Sequence, residues 1–301
     1  MPSLSHPSTP TAGALGTPSR PLSVTRRATN FCFTGLAGLS AILVLLPLAA
    51  IFAYLVIKGI GALNWDFLTH TPRPIGTPGG GMANAIAGST LILGIGSLIG
   101  LPLGIGSGIY MSEFGGGRYV HLVRFTADVL NGVPSIVVGI AVYSLVVLPQ
   151  QHFSALSGGV ALGIMMIPTI ARTTEEMLRM VPNMIREAAL GLGIPQWRAT
   201  LQVTLRTASK GVITGAMLAF ARVAGETAPL LFTAFGNQFW NANLNQPTAA
   251  LPIQIFAYAI SPFDEWHRQA WAGALILIIL IVAAVTAVRI VTSRGSVQHN
   301  T

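Results

Sequence analysis

The chain has 301 residues, 52% of them hydrophobic and only 9% charged, with a mean hydropathy of +0.65. Soluble domains carry about 25% charged residues, so the composition excludes an ordinary soluble enzyme and points to an integral membrane protein. The net charge of +8 fits basic cytoplasmic loops better than nucleic-acid binding, for which no aromatic-basic platform is present.

Residues 1–28 are rich in Ser, Thr, Pro and Gly and read as a disordered cytoplasmic tail. Arg26 and Arg27 precede an apolar run without a charge from 28 to 57. That run is too long for a signal-peptide core and ends in no convincing cleavage site. Residues 29–60 therefore read as a retained first transmembrane anchor, with its apolar stretch at 31–56. The single Cys32 within it excludes an intramolecular disulfide and a cysteine-based metal cluster. Residues 61–81 read as an extracytoplasmic loop, residues 82–293 as a core of about five further spans, and residues 294–301 as a cytoplasmic tail.

Within the core, the spans are expected at 82–111, 122–148, 160–170 continuing into 172–180, 211–235 and 270–288. Polar and glycine stretches at 149–153 and 157–159 separate the second of these from the third. A second long outer loop, 236–267, reads as surface loop or short interfacial helices, or as a partner-facing segment. The fold class is all-α, with about six transmembrane helices.

Orientation follows from the Lys and Arg distribution. With the N-terminus inside, 13 of the 17 basic residues fall on the cytoplasmic side or at its interface. Three fall outside (Lys58, Arg73 and Arg268), and Arg222 lies within a span. Both termini are expected to be cytoplasmic.

Between Arg172 and Lys210 lies a polar, basic island. Pro182 suits the first turn of a helix that continues through Arg186, Glu187, Ala188 and Ala189. Gly191 and Gly193 end it, and Pro195 starts the next. In that second segment Trp197, Leu201 and Leu205 recur every four residues, an amphipathic face expected to lie on the bundle. The spacing alone is equally compatible with an ordinary connector and with a surface gripped by a partner.

Glu187-Ala188-Ala189, then Gly193, then Val203-Thr204-Leu205 resembles the EAA loop of ABC importer permeases. The resemblance implies a type I permease architecture in which Arg186, Glu187, Ala188, Ala189, Gly191 and Gly193 form a coupling helix docked on a cytoplasmic ATPase. The family motif ends in Leu-Pro; here Leu205 is followed by Arg206, a departure at the exit of the loop.

The span expected at 211–235 contains Arg222 and Glu226, four apart and so expected on one helix face. A charge in mid-bilayer costs about 2.5–3.5 kcal/mol on insertion scales, so the pair is expected to face a partner helix or an aqueous path. Pro229 can open the helix one turn back. One reading is a structural ion pair. The other is an anion checkpoint, in which the guanidinium fork of Arg222 meets phosphate oxygens and Glu226 weakens its grip, with Thr227 beside them.

The stretch 219–231, together with 167–176 and 131–140, resembles the phosphate-specific ABC importers, and within them the A-type permease of the pair. The resemblance covers roughly residues 30–293. It implies a multi-pass subunit of the bacterial inner membrane that passes inorganic phosphate. Its implied partners are a second related permease, two ATP-binding subunits and an extracytoplasmic phosphate-binding protein. It implies no cofactor on this chain: no Gly-x-x-x-x-Gly-Lys-Ser/Thr loop is present, so the ATP is used by the partner. A permease for another oxyanion or solute is the near alternative, and an ion-driven carrier or channel the distant one.

The remaining polar residues read as structural. Asp128 sits four past Arg124 and is expected to pair with it, Asn131 and Ser135 share its face, Glu175 and Glu176 join a loop-fixing network, and Glu113 ends a span. The six histidines have no metal spacing.

Overall fold

A computed structural model describes residues 24–74, 77, 79–113 and 116–294. The chain divides into two compact units at Ala53/Tyr54. In the first, helix α1 (Val24–Ile60) begins, and every described side chain from 25 to 53 is exposed. An aliphatic surface of this kind requires lipid or protein around it. The tail expected over 1–28 lies outside the described residues up to 23, and residues 24–28 are already helical. The tail expected over 294–301 lies outside them from 295 on.

The second unit starts with the last turns of α1. Tyr54 meets Trp271 edge-on, with ring centroids 5.2 Å apart. The expected loop 61–81 contains a short helix, α2 (Trp65–Thr69), whose first turn is capped by the Asn64 side chain accepting from the Phe67 N–H at 2.7 Å. There follow α3 (Ala83–Glu113), α4 (Arg118–Gly132), α5 (Ser135–Gln150), α6 (Ala155–Arg179) and α7 (Asn183–Gly191). A turn at Gln196–Arg198 and a π-helical segment at Ala199–Thr204 lead into α8 (Leu205–Ala224). The chain ends through α9 (Ala228–Thr233), α10 (Leu251–Ala259) and α11 (Asp264–Arg294).

The centre of the second unit is a parallel seam between α3 and α6. Gly96, Gly100, Gly104 and Gly108 recur every four residues on α3 and face Leu162, Met166, Ile170 and Thr174 on α6. A Cβ on Gly100 would stand 2.7 Å from Met166 Cβ, and one on Gly104 2.7 Å from Ile170 Cβ. The missing side chains let the backbones approach, the usual route to tight packing where lipid supplies no hydrophobic contrast. Ala219 and Val223 of α8 and Leu230 of α9 close the same core. At the top of α6, Ser154 and Ser157 form a capping box, and the Ser157 hydroxyl donates to the Thr233 carbonyl at 2.8 Å, fixing α9 to α6. The stretch 157–159, expected as a break, is therefore inside a helix.

Helices α1, α3, α6 and α11 are each long and apolar enough to cross a membrane, and α4 with α5 qualifies as one bent span. The sixth long element, α8, has 20 residues and carries Arg206, Lys210 and Arg222. Two expected spans take another form. The stretch 122–148 is not one straight helix: α4 and α5 meet at 107°. Pro134 has no N–H to donate and drives Val133 into an extended conformation (φ −71°, ψ 130°), which ends α4. The stretch 211–235 is broken as well. Its helix stops at Ala224, and α9 starts with Pro229 in its first turn. The expected outer loop 236–267 contains α10, whose Leu251, Pro252, Ile253 and Tyr258 are buried core, not interfacial surface.

Candidate functional site

At the end of the molecule where α3 finishes and α6 leads into α7, the structure builds a rigid projecting turn. Pro182, expected in the first turn, is instead the N-cap of α7, which starts at Asn183. Gly193 adopts φ +79°, a left-handed conformation that favours glycine. The Gly193 N–H then donates to the Leu190 carbonyl at 2.9 Å and the Ile194 N–H to the Ala189 carbonyl at 3.2 Å, satisfying the last carbonyls of α7.

The six residues expected to couple to an ATPase divide between two faces. Glu187, Ala188, Gly191 and Gly193 are exposed; Ala189 is buried and Arg186 half-buried. Arg186 points into the protein, donating to Glu113 Oε1 at 2.7 Å and to the Leu178 carbonyl at 2.6 Å. Thr200 donates to the other oxygen of Glu113 at 3.2 Å. Glu113 thus joins α3, α7 and the π segment. The same turn exposes apolar side chains: Met184 is 79% exposed, Leu192 82% and Trp197 61%. A turn that exposes Met, Leu and Trp together has the chemistry of a docking face.

The second segment of this loop meets the expectation only at Leu205, which packs against Leu178, Val181, Ala208 and Val212. Trp197 and Leu201 are exposed, and Ala199, Thr200 and Thr204 are the buried positions. The π-helical turn at Ala199–Thr204 holds an extra residue, which rotates each following side chain relative to a regular helix. Arg206 follows in continuous helix and is exposed, so the loop exits into α8 without a break in the helix.

Above this turn Glu175, 1% exposed, is held by three arginines. Arg124 contributes Nε at 3.0 Å and Nη2 at 2.5 Å, Arg172 lies 2.7 Å away, and Arg179 2.9 Å. Arg172 also bonds Asp128 at 2.8 Å. Asp128 therefore pairs across to α6 and not with Arg124 on its own helix. Arg124 instead reaches the buried carboxylate, because a charge that deep requires a full set of donors. Asn131 accepts from Thr169 at 3.0 Å, and the shared face expected with Ser135 is broken by the bend.

Arg222 is the last basic residue of α8, and it is exposed. Glu226 and Thr227 are half-buried and lie outside regular helix. The expected shared helix face does not form, because α8 ends two residues before Glu226. Among the described residues, neither the Arg222 nor the Glu226 side chain has a hydrogen-bond or ion-pair partner. Pro229, just beyond, is seated against Gly139 of α5; a Cβ there would lie 2.6 Å from Pro229 Cα. The start of α9, just after the break at 225–227, is therefore packed against the helix that follows the Pro134 bend. Among the described residues no group of three His, Cys, Asp or Glu could hold a metal ion.

Residues 100–296 match the family of the binding-protein-dependent transport system inner membrane component. The phosphate transport system permease protein PstA of Yersinia pestis is 47% identical over 228 residues, 75% of this chain and 77% of that protein. Its counterpart in Haemophilus influenzae is 45% identical over 259 residues, 85% of this chain and 91% of that one. PstA 1 of Mycobacterium tuberculosis is 33% identical over 285 residues, 91% and 92% respectively. Among solved structures, an inward-facing conformation of the MetNI methionine ABC transporter matches with a TM-score of 0.52 at 17% identity, over 81% of this chain and 95% of that one. That last likeness is one of fold alone. With its central glycine seam, its projecting Glu187 turn and relatives this similar along most of its length, the chain belongs to the phosphate transport system permease family of binding-protein-dependent inner membrane components.

Proposed function

We propose that this chain is a permease subunit of an ATP-driven importer of inorganic phosphate, and that Arg222, Glu226 and Thr227 line its path. The observation that carries the phosphate reading is Arg222, an exposed guanidinium at the end of a largely apolar helix with no side-chain partner among the described residues. A planar fork of donors suits phosphate oxygens. Glu226 sits four residues on and outside its reach, so it acts as a nearby negative charge that keeps the anion from binding too tightly. The relatives named for phosphate support the same cargo.

The driving force enters through α7. Its exposed Glu187 and Ala188 and the surrounding Met184, Leu192 and Trp197 are the docking face for a cytoplasmic ATP-binding subunit. Arg186 passes movement of that face to Glu113 and hence to α3. In the assembly we propose, this chain pairs with a second related permease over two ATPase copies. A phosphate-binding protein delivers cargo outside, and ATP is hydrolysed by the partner. The excess of basic residues in the loops assigned to the inside, 13 of 17 with the N-terminus there, supports cytoplasmic termini.

The test is phosphate uptake by cells or vesicles carrying the whole importer. Arg222→Ala abolishes uptake at equal protein level and assembly, and Arg222→Lys is impaired because it lacks the fork. Wild-type uptake by Arg222→Ala overturns the role of Arg222. Competition by sulfate equal to that by phosphate overturns the cargo.

A further inference from the structure

Between α8 and α11 lies a groove of ≈ 460 Å³. The two helices run antiparallel there: Phe220 shares a lining with Leu277 and Ile281, and Met217 with Val288. Lys210 accordingly meets the Arg289–Thr292 end of α11. The groove is sharply graded. Lys210, Arg289 and Thr292 stand at one end, and Met217, Leu218 and Val285 make its apolar walls. On α8 the lining residues recur at steps of three and four, one continuous stripe. From Lys210 to Ala221 that stripe rises about 16 Å at 1.5 Å per residue, close to half of a hydrocarbon core about 30 Å thick.

Lys210 and Arg289 are both exposed, and neither side chain has a hydrogen-bond or ion-pair partner among the described residues. The threonines beside them bond backbone carbonyls within their own helices. Two unpaired cations therefore stand at the headgroup end of an apolar slot one leaflet deep, on the same side of the membrane as α7. We propose that this groove is a binding site for an anionic phospholipid. Its phosphate lies between Lys210 and Arg289, and an acyl chain runs along Met217, Leu218 and Val285. The charge complementarity selects an anionic headgroup, and the length of the slot selects a lipid chain over a free ion, which has nothing to bind along the apolar walls.

The experiment is native mass spectrometry of the intact importer, released from nanodiscs of phosphatidylglycerol or of phosphatidylcholine. Phosphatidylglycerol is retained by the wild type and phosphatidylcholine is not. Lys210→Gln with Arg289→Gln lowers phosphatidylglycerol affinity about thirtyfold, from the attraction of two basic residues to an anionic lipid surface. Leu218→Trp fills the slot, leaves both charges in place and also loses the lipid. Equal retention of the two lipids, unchanged retention in both variants, or displacement of the lipid by millimolar inorganic phosphate overturns the proposal. So does efficient crosslinking of Leu218→Cys to the second permease in the assembled importer, since the groove is then a protein interface.

Discussion

Arg186 Nη1 donates to Glu113 Oε1 at 2.7 Å, which ties α7 to the final residue of α3. The same guanidinium bonds the Leu178 carbonyl near the end of α6. One side chain thus joins the projecting turn to both helices of the central seam. Arg186→Ala leaves a nearly buried carboxylate without its cation and is expected to destabilise this end by about 3 kcal/mol, the low end for a buried pair because Arg186 remains partly hydrated. In the assembled importer, ATP hydrolysis should persist while its stimulation by phosphate falls. Paired melting and ATPase assays check this, and full stimulation in the variant contradicts it.

Glu175 is the common acceptor for Arg124, Arg172 and Arg179. Replacing it with Gln leaves three cations converging on a neutral amide. The expected loss is about 3–5 kcal/mol, seen as a lower melting temperature in detergent and a lower yield of assembled importer. Asp128→Asn, at a half-exposed position and bonded only to Arg172, should cost about 1 kcal/mol or less.

Met184 and Leu192 are among the most exposed apolar side chains of the α7 turn. A charge at either leaves the fold of this chain unchanged, because neither packs on it. Met184→Asp or Leu192→Asp is expected to weaken capture of the ATP-binding subunit by tenfold or more, measured by co-purification from detergent. Undiminished capture by both would show that the docking face lies elsewhere.

Among the described residues, Glu226 has no side-chain partner to lose. Glu226→Gln should therefore leave the melting temperature within the scatter of surface substitutions, about 0.5 kcal/mol. Removing the negative charge should tighten apparent phosphate binding and slow release, lowering both the KM and the maximal rate of uptake. A large drop in stability instead would indicate a structural ion pair, the reading the geometry disfavours.

The glycine seam makes a separate prediction. Gly104→Val forces bulk against Ile170, where even a Cβ stands 2.7 Å away. Overpacking is expected to cost about 1–3 kcal/mol. Gly106→Val, at an open position on the same helix with no neighbour within 4 Å, should be nearly neutral. Melting curves of the two variants separate packing from any general intolerance of valine in α3.

Much of this architecture was legible from residue type and spacing. The long uncharged runs gave α1, α3 and α11 because a membrane span has a length signature. The proline-to-glycine frame of α7 was legible because its caps are local. The 107° bend was not anticipated, although Pro134 sat within the expected span; in membranes a proline is often accommodated by a mild kink, and only tertiary packing decides how far the chain turns. The opening of the helix one turn before Pro229 was legible, but not that it ends α8 before Glu226 and so removes the face shared with Arg222. Gly225 and Pro229 mark a weak point, but the close seat of Pro229 on Gly139 is a contact between distant segments. Of the expected face only Leu205 packs inward, because a π turn at Ala199–Thr204 breaks the period on which such a reading depends. The partners of Glu113 and Glu175 are also non-local, and only the cost of burying a carboxylate hinted that each needed cations.

The seam between α3 and α6 also sets an order of events during synthesis. These helices lie side by side in the finished chain, yet the whole bent pair α4–α5 emerges from the ribosome between them. Until α6 is inserted, α3 waits in the bilayer with its row of glycines facing lipid, a surface that makes few contacts of its own. The bent pair must reach the far side before the seam can close. A nascent chain arrested before Ala155 therefore displays an open glycine stripe, a structural mark by which an incomplete copy differs from a finished one.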